Sequence, residues 1–263
     1  MRRQDSINKM LVIFQMLIMA VLFLAVRNAS AQLTAKANHD HITIDFLYHG
    51  STVSVRGISD PDCDLIIKLA SADGHEALRE KGKIGGFLWM NVGELQIDHV
   101  PNVYCLHSTK NIADILSRDE MNRYIIGYPA LERSVQMNTK GEEYKDKWFN
   151  EFVKFKEASN LYGTTAGKIS LSAKDGLQNY YILTQWPYQA PPGEYTVTVY
   201  AVKNKKVIET ATSNVLVEQV GMVKSLSNMA KNNAATYGVI SILTALGTGL
   251  GVGLVFRKSG GAH

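Results

Sequence analysis

The feature that most constrains this chain is an uncharged stretch of twenty residues near the C-terminus, Tyr237–Phe256. As an α-helix rising about 1.5 Å per residue, it covers about 30 Å, which is the thickness of a bilayer's hydrocarbon core. The stretch therefore predicts a transmembrane helix over residues 237–256. Arg257 and Lys258 follow it immediately. The positive-inside bias then predicts that the tail, residues 257–263, is cytoplasmic and that the preceding domain lies outside the cytoplasm.

A second apolar segment lies at the N-terminus. A basic segment containing Arg2 and Arg3 precedes the apolar run Met10–Val26. A short group of small residues follows the run and ends at Ala31, as at a signal-peptide cleavage site. This pattern predicts a signal peptide over residues 1–31. An uncleaved anchor is the alternative, because the run is almost long enough to span a bilayer. In a bacterial source, both interpretations predict a single-pass protein of the cytoplasmic (inner) membrane with its main domain in the periplasm.

The charge distribution argues against a nucleic-acid partner. The chain carries a formal net charge of +4, of which residues 1–31 contribute +3 and residues 237–263 contribute +2. Residues 32–236 are therefore left with −1. Because the basic residues in excess lie at the chain ends, the exported domain lacks the basic face that phosphate backbones require.

Alternating apolar and polar residues predict that the exported domain, residues 32–222, is mainly β. The predicted strands are at His41–Phe46, Thr52–Val55, Leu65–Leu69, Phe87–Met90, Glu94–Ile97, Val103–Leu106, Lys168–Leu171, Tyr180–Leu183, Tyr195–Val202 and Val215–Val217. A Pro-Pro-Gly turn at 191–193, followed by Tyr195 and alternating valines, is typical of the late strands of immunoglobulin-like sandwiches. We therefore predict an immunoglobulin-like β-sandwich with a helical insertion at about 111–162; two small β units joined by helices are the alternative.

The clearest helix of the insertion is predicted over Glu142–Tyr162. Its residues Tyr144, Trp148, Phe152 and Phe155 recur at spacings of four, four and three, which places them on one face. We expect this aromatic face to pack against a sheet. A further juxtamembrane helix is predicted over residues 223–236, leading into the membrane span.

Two motifs that invite a chemical interpretation are incomplete. The segment Gly163–Lys168 is one residue short of a phosphate-binding loop and is followed by Ile169 instead of Ser or Thr. Asp60, Asp62 and Asp64 have the alternate spacing of a calcium loop but lack its glycine and its final glutamate. We interpret both as turns and predict neither nucleotide nor calcium binding.

Metal and redox signals are equally sparse. His39 and His41, at the start of the exported domain, are the best candidates for a pair of metal ligands. Histidines are more often exposed to solvent or packed in a core, so no metal or other cofactor is predicted. Cys63 and Cys105 are the two cysteines. In an oxidising compartment they can form one disulfide, and two buried thiols are the equal alternative. No nucleophile or zinc-protease motif is present, so we expect a protein that is not an enzyme and has no catalytic residues.

Small residues form a stripe along the predicted membrane helix. Ser241, Ala245, Gly249 and Gly253 recur every four residues, and Gly247 and Gly251 form a neighbouring pair. Small side chains allow a second helix to approach closely and gain dispersion contacts. The stripe therefore predicts association through this helix, with a partner membrane protein or with a second copy.

Several blocks together resemble a known family. They are Leu88–Asn91, Val100–Tyr104, Asn160–Tyr162, Pro192–Tyr200, Val215–Gly221, and Tyr237-Gly238 with the glycine-rich span that ends at Phe256-Arg257. Their order resembles an uncharacterised family of transmembrane proteins first defined in alphaproteobacteria. The resemblance covers nearly the whole exported chain and implies a signal peptide, a periplasmic β domain and a C-terminal membrane helix.

The resemblance implies no activity, because the family has no assigned catalytic residues. Its members are often encoded beside permeases of the sulfite-exporter type, which implies an integral membrane partner. We therefore predict a non-enzymatic, membrane-anchored accessory or assembly subunit of an integral membrane transporter. The alternative is a periplasmic domain that binds a small anion or metal near the membrane.

Overall fold

The computed structural model describes residues 32–138, 142–174 and 176–259. The predicted signal peptide, residues 1–31, and the last four residues of the predicted cytoplasmic tail lie outside the described part. Within it, strands are the commonest element, so the predicted mainly β class is confirmed.

The strands are β1 Lys36–Ala37, β2 His41–Ile44, β3 Ser51–Ser59, β4 Asp64–Ser71, β5 Asp73–Ile84, β6 Leu88–Pro101, β7 Tyr104–Ser108, β8 Gln136–Met137, β9 Tyr162–Ala166, β10 Ser170–Lys174, β11 Leu177–Trp186, β12 Gly193–Lys203 and β13 Lys206–Gln219. The helices are α1 Ile112–Ile115, α2 Arg118–Tyr124, α3 Tyr128–Ser134, α4 Glu142–Ala158, α5 Gly221–Asn232 and α6 Ala234–Ser259.

Two sheets contribute to one continuous apolar core. The first has the order β1-β3-β11-β10 and the second the order β2-β13-β12-β4-β7-β9. Val55 of β3 and Ile182 of β11 belong to the same buried cluster as Ile67 of β4 and Val199 of β12. Ile182 alternates with the exposed Tyr181 and Leu183, because side chains point to opposite faces along a strand, whereas Ile67 and Val199 each have a buried neighbour and lie in strands covered on both faces.

The immunoglobulin-like form of the sandwich stays a prediction, and the strand order is compatible with it. The row β1-β3-β11-β10 corresponds to strands A, B, E and D, and the row β13-β12-β4 corresponds to G, F and C. At the start of β12, the hydroxyl of Tyr195 donates a hydrogen bond to the carbonyl of Pro191, at 2.5 Å. The ring of Tyr195 also packs edge-on against Trp186, with centroids 4.8 Å apart. A tyrosine bonded to the backbone just upstream is typical of this fold at the same place.

The helices α1 to α4 lie between β7 and β9 in the chain. Helix α4 buries Phe149, Phe152 and Val153, whereas Tyr144 and Phe155 are more than half exposed. The predicted aromatic face is therefore wrong except at Phe152 and the half-buried Trp148. The buried face of α4 consists of positions 149, 152, 153 and 156, because this is the side of the helix that packs against the core.

A third sheet, β5-β6-β8, is built around a long hairpin that the sequence analysis did not predict. Strands β5 and β6 pair from Asp73↔Pro101 to Ile84↔Leu88. The strands predicted at Phe87–Met90 and Glu94–Ile97 fall within one continuous strand, β6, except for Phe87, which belongs to the turn before it. The hairpin is inserted between β4 and β7, which are direct neighbours in the second sheet.

Candidate functional site

In the part of the chain that the structure describes, one helix is long and apolar enough to span a membrane, at Ala234–Leu254 of α6. Three of its hydroxyl groups are bonded within the helix. Ser241, Thr244 and Thr248 each donate at 2.8 Å to the carbonyl four residues earlier. This matters in hydrocarbon, where an unpaired polar group is costly. Arg257 and Lys258 fall in the last turn of the same helix.

Among the residues that the structure describes, nothing packs against the predicted small-residue stripe. Ser241 and Ala245 are exposed, and a Cβ added at Gly247, Gly249, Gly251 or Gly253 would meet no atom within 4 Å. At 100° per residue, Leu243, Leu246, Leu250 and Leu254 lie on a flank of the helix beside the stripe, while Ile242 and Val252 lie within it. The helix therefore carries small residues among large aliphatic ones, and its exposed surface is available to lipid or to a second helix.

The membrane helix and the long hairpin leave the sandwich at the same end. Strands β4 and β13 flank β12, and both are antiparallel to it. Tyr195 of β12 pairs with Ser71, the last residue of β4, and with Val215, near the end of β13. The chain runs from β4 into the hairpin and from β13 into α5 and α6. The end of β13, which leads through α5 to the membrane helix, and the root of the hairpin therefore lie at the same end of the sandwich.

The hairpin has a buried root and an exposed arm. At the root, Leu95, Ile97 and Val100 of β6 belong to the core. Beyond them, residues 79–94 form a two-stranded ribbon, which we call the arm. The arm presents an apolar tip whose exposed side chains are Ile84, Phe87, Leu88, Trp89, Met90 and Val92. Phe87 is 82% exposed and Trp89 is 64% exposed.

The turn at the tip depends on two glycines. Gly85 and Gly86 have φ angles of 63° and 82°, in the left-handed region that favours glycine. Just behind the turn, the ammonium of Lys83 lies 5.3 Å from the centroid of the Trp89 ring. Lys81 lies two register pairs further back, opposite Asn91. The arm thus combines an aromatic, apolar tip with cations at its base.

A separate cleft of about 1010 Å³ is lined by strands of both sheets, including β3 and β11 of the first and β7 and β9 of the second. His107 of β7 lines it and is 8% exposed, and its Nδ1 lies 2.6 Å from the hydroxyl of Thr165. Two buried polar atoms at this cleft, His107 Nε2 and Trp186 Nε1, have no hydrogen-bond partner among the residues that the structure describes. Lys168 also lines the cleft.

Two titratable groups of the cleft, His107 and Cys105, are held in their neutral forms. Burial, reinforced by the nearby Lys168 ammonium, lowers the pKa of His107 to about 4. Burial raises the pKa of the Cys105 thiol to about 12. A neutral imidazole beside a protonated thiol provides hydrogen-bonding groups but no activated nucleophile at neutral pH.

The structure does not bring the two cysteines together. Both are free thiols. Cys105 pairs in register with Leu69, while Cys63 lies just before the start of β4. Six residues of extended strand correspond to about 20 Å, far beyond the roughly 7 Å between Cα atoms that a disulfide allows. The disulfide alternative is therefore corrected to two separate thiols.

The incomplete motifs have structural roles. Most of the segment Gly163–Lys168 lies in β9, which pairs in parallel with β7. Asp64 accepts a hydrogen bond from Thr109 and one from Lys110. His41 Nε2 lies 2.9 Å from Glu218 Oε1, between the paired strands β2 and β13. Among residues 32–138, 142–174 and 176–259, no three His, Cys, Asp or Glu side chains are grouped so as to hold a metal ion.

A mainly β domain joined to a C-terminal apolar helix defines a membrane-associated class of protein. Within that class, the chain belongs to the family described as "Putative transmembrane protein (Alph_Pro_TM)", whose family model matches residues 32–258. The match spans the β domain and the apolar helix together. No curated protein and no solved structure matches the chain.

Proposed function

We propose that this protein is a non-enzymatic accessory or assembly subunit of an integral membrane transporter, anchored by α6 with its β domain in the periplasm. The partner is an integral membrane protein that packs on the small-residue face of α6. A permease of the sulfite-exporter type is the partner class that the family resemblance implies. In this proposal residues 1–31 are the export signal and the tail after Arg257 and Lys258 is cytoplasmic.

The observation that carries the proposal is the unpartnered face of α6. Gly249 and Gly253 have open space where side chains would stand, and the helix hydroxyls are already bonded to their own backbone. Such a helix gains little from lipid contact alone and gains close van der Waals packing from a second helix. The neutral His107 and Cys105 support a role without catalysis.

The test is co-purification of the full-length chain from its native membrane in mild detergent, with mass spectrometry of stoichiometric partners. We expect one polytopic transporter to be retained by the wild type and lost from the Gly249→Leu/Gly253→Leu variant. The matched control is Ile240→Phe/Thr244→Leu, which adds bulk on the side of the same helix opposite Gly249 and Gly253 and should retain the partner. A wild-type protein that purifies without a polytopic partner would refute the proposal.

A second function is favoured by a specific observation, the two unpartnered buried groups at the cleft. His107 Nε2 and the Trp186 indole N–H lack hydrogen-bond partners, and Lys168 supplies a positive charge nearby. Buried polar groups of this kind are normally paired. A small oxyanion would offer acceptors to both the indole and the ammonium, so the alternative function is anion binding by the periplasmic domain.

This alternative is tested by calorimetric titration of the full-length chain in detergent with inorganic sulfate and phosphate. Saturable binding that is weakened in Lys168→Gln and unchanged in Lys174→Gln would support it. Lys174 lies on the edge strand β10 and does not line the cleft, so it controls for loss of charge alone. Absence of saturable heat with either anion would reject it.

A further inference from the structure

We propose that the arm, residues 79–94, inserts its apolar tip into the interfacial layer of the same membrane that α6 spans. The inference goes beyond the accessory role, because it assigns the β domain a contact with lipid that requires no protein partner. It rests on the position of the arm, on its length and on the chemistry of its tip.

The position follows from the register of the second sheet. The root of the hairpin and the exit of β13 towards α5 and α6 lie at one end of the sandwich, since Tyr195 pairs with both Ser71 and Val215. This end is the one that faces the membrane, because α6 is anchored there. The arm therefore leaves the domain on its membrane side.

The length of the arm suits the distance it must cover. Six or seven residues in each strand of the arm, at about 3.3 Å per residue, reach about 20 Å beyond the root. Helix α5, with 12 residues, spans about 18 Å before the membrane helix begins. The reach of the arm and the length of α5 are therefore comparable.

The length of the apolar tip also matches the depth of a bilayer interface. Its last register pairs are Gly82↔Met90, Lys83↔Trp89 and Ile84↔Leu88, which cover about 10 Å of ribbon. Interfacial segments bury their apolar side chains by about 5–10 Å at the boundary between headgroups and acyl chains. Trp is enriched at this depth because its ring is apolar and its N–H is polar.

The charges around the tip complement lipid headgroups. Lys81 and Lys83 are the charged residues between positions 81 and 93, and no Asp or Glu occurs there. Lys83 lies along the Trp89 ring, so its stem can stay in the apolar layer while its ammonium meets lipid phosphates. Anionic headgroups attract such lysines within a Debye length of the surface.

The distribution of the apolar side chains favours lipid over a protein partner. Phe87, Leu88, Trp89 and Met90 are consecutive and all exposed, so they project from both faces of the ribbon. A protein partner docking on a sheet face covers one face of it. Lipid surrounds an inserted segment, and a ribbon that is apolar on both faces gains from that.

The experiment places the full-length chain in vesicles of phosphatidylethanolamine and phosphatidylglycerol at 3:1 and follows Trp89 fluorescence as the difference between wild type and Trp89→Phe. We expect acyl-brominated lipids to quench this difference signal and aqueous acrylamide to leave it unquenched. The matched control is Ile208→Trp in the Trp89→Phe background. Ile208 is also exposed but lies beside the β12–β13 turn, at the opposite end of the sandwich, so acrylamide should quench it and brominated lipid should not.

The charge contribution is tested with Lys81→Gln/Lys83→Gln. At roughly a fivefold effect for each lysine, the ratio of inserted to free arm should fall about 25-fold in the anionic vesicles and remain unchanged in pure phosphatidylcholine. Quenching of Trp89 by acrylamide and not by brominated lipid would overturn the proposal. Shielding of Trp89 from both quenchers would also overturn the proposal, because Trp89 would then lie against protein. If diluting the protein with additional lipid removes the shielding, that protein is a second copy of the chain. These outcomes leave co-purification of a transporter through α6 untouched.

Discussion

The ion pair between Lys156 of α4 and Glu76 of β5 joins the helical insertion to the root of the hairpin, and we expect its removal to be costly. Lys156 is 3% exposed. Its ammonium contacts Glu76 Oε1 and lies 5.5 Å from the centroid of the Phe152 ring. The change Lys156→Met keeps the length of the side chain and removes its charge. The Glu76 carboxylate, with its side chain 25% exposed, then loses its partner.

The expected magnitude follows from this burial. Removing one member of a buried ion pair costs about 3–5 kcal/mol, because the remaining charge is left uncompensated. Partial access of water to Glu76 places the cost at the lower end, about 3 kcal/mol. For a domain of this size, each kcal/mol lowers Tm by about 2–4 °C, so Lys156→Met should lower Tm by about 6–12 °C.

The assay is thermal unfolding of the full-length chain in detergent, followed by circular dichroism. The matched control is Lys154→Met, two residues away on α4. Lys154 pairs with Glu151 at 2.8 Å with both side chains mostly exposed, and such a pair contributes about 0–1 kcal/mol. The double change Glu76→Leu/Lys156→Met should recover most of the loss, because no unpaired charge remains. Equal Tm values for Lys156→Met and Lys154→Met would refute the burial of the pair.

Three further predictions concern the sandwich and its cleft. Phe152→Ala should lower the free energy of unfolding by about 3–5 kcal/mol and Phe155→Ala by less than about 1, measured by denaturant titration; equal losses would contradict the observed face of α4. Gly57→Ala should cost about 3 kcal/mol in the same assay, because its Cβ would stand 1.8 Å from the carbonyl oxygen of Thr34. The unfolded state protonates His107 near pH 6.5 and the folded state only near pH 4, so stability should fall as the pH falls through this window, by about 3 kcal/mol at pH 4. A His107→Gln variant with the same pH profile would contradict that assignment.

The sequence predicted the β class because the strands of the sandwich alternate in the usual way. Tyr195–Val202, for example, has apolar side chains directed into the core at every second position, and β12 forms there. The uncharged stretch Tyr237–Phe256 also placed the apolar helix correctly at the C-terminus. Local sequence was sufficient in both places, because alternation indicates a strand and an unbroken apolar run of this length indicates a helix long enough to span a bilayer.

Periodicity failed where local pattern and tertiary packing disagree. In α4, the large side chains Tyr144 and Phe155 suggested a buried face, and Phe149, which is buried, was absent from it. The decisive factor is the direction from which the sheets approach the helix, and this depends on β9 and on the root of the hairpin. A buried Lys156 could not be foreseen either, because its partner Glu76 lies eighty residues earlier in the chain.

The hairpin was missed for a different reason. Its first strand, Asp73–Ile84, carries seven charged or imidazole side chains and two glycines, which is typical of a loop. It becomes a strand because β6 pairs with it along its whole length. Strand β5 is stabilised by its partner strand and by the buried root, so its own residues show only a weak strand pattern.

The relation between the hairpin and the membrane helix depends on strand direction, which no local pattern contains. Ser71 and Val215 are separated by 144 residues, yet each pairs with Tyr195. Two strands that are both antiparallel to one neighbour must run in the same direction. Once β13 leads towards the membrane, β4 must lead there as well, and any segment inserted after β4 starts on the membrane side. An apolar tip on that segment consequently has a lipid surface within reach, whereas the same tip inserted after β12 would start from the far end of the domain.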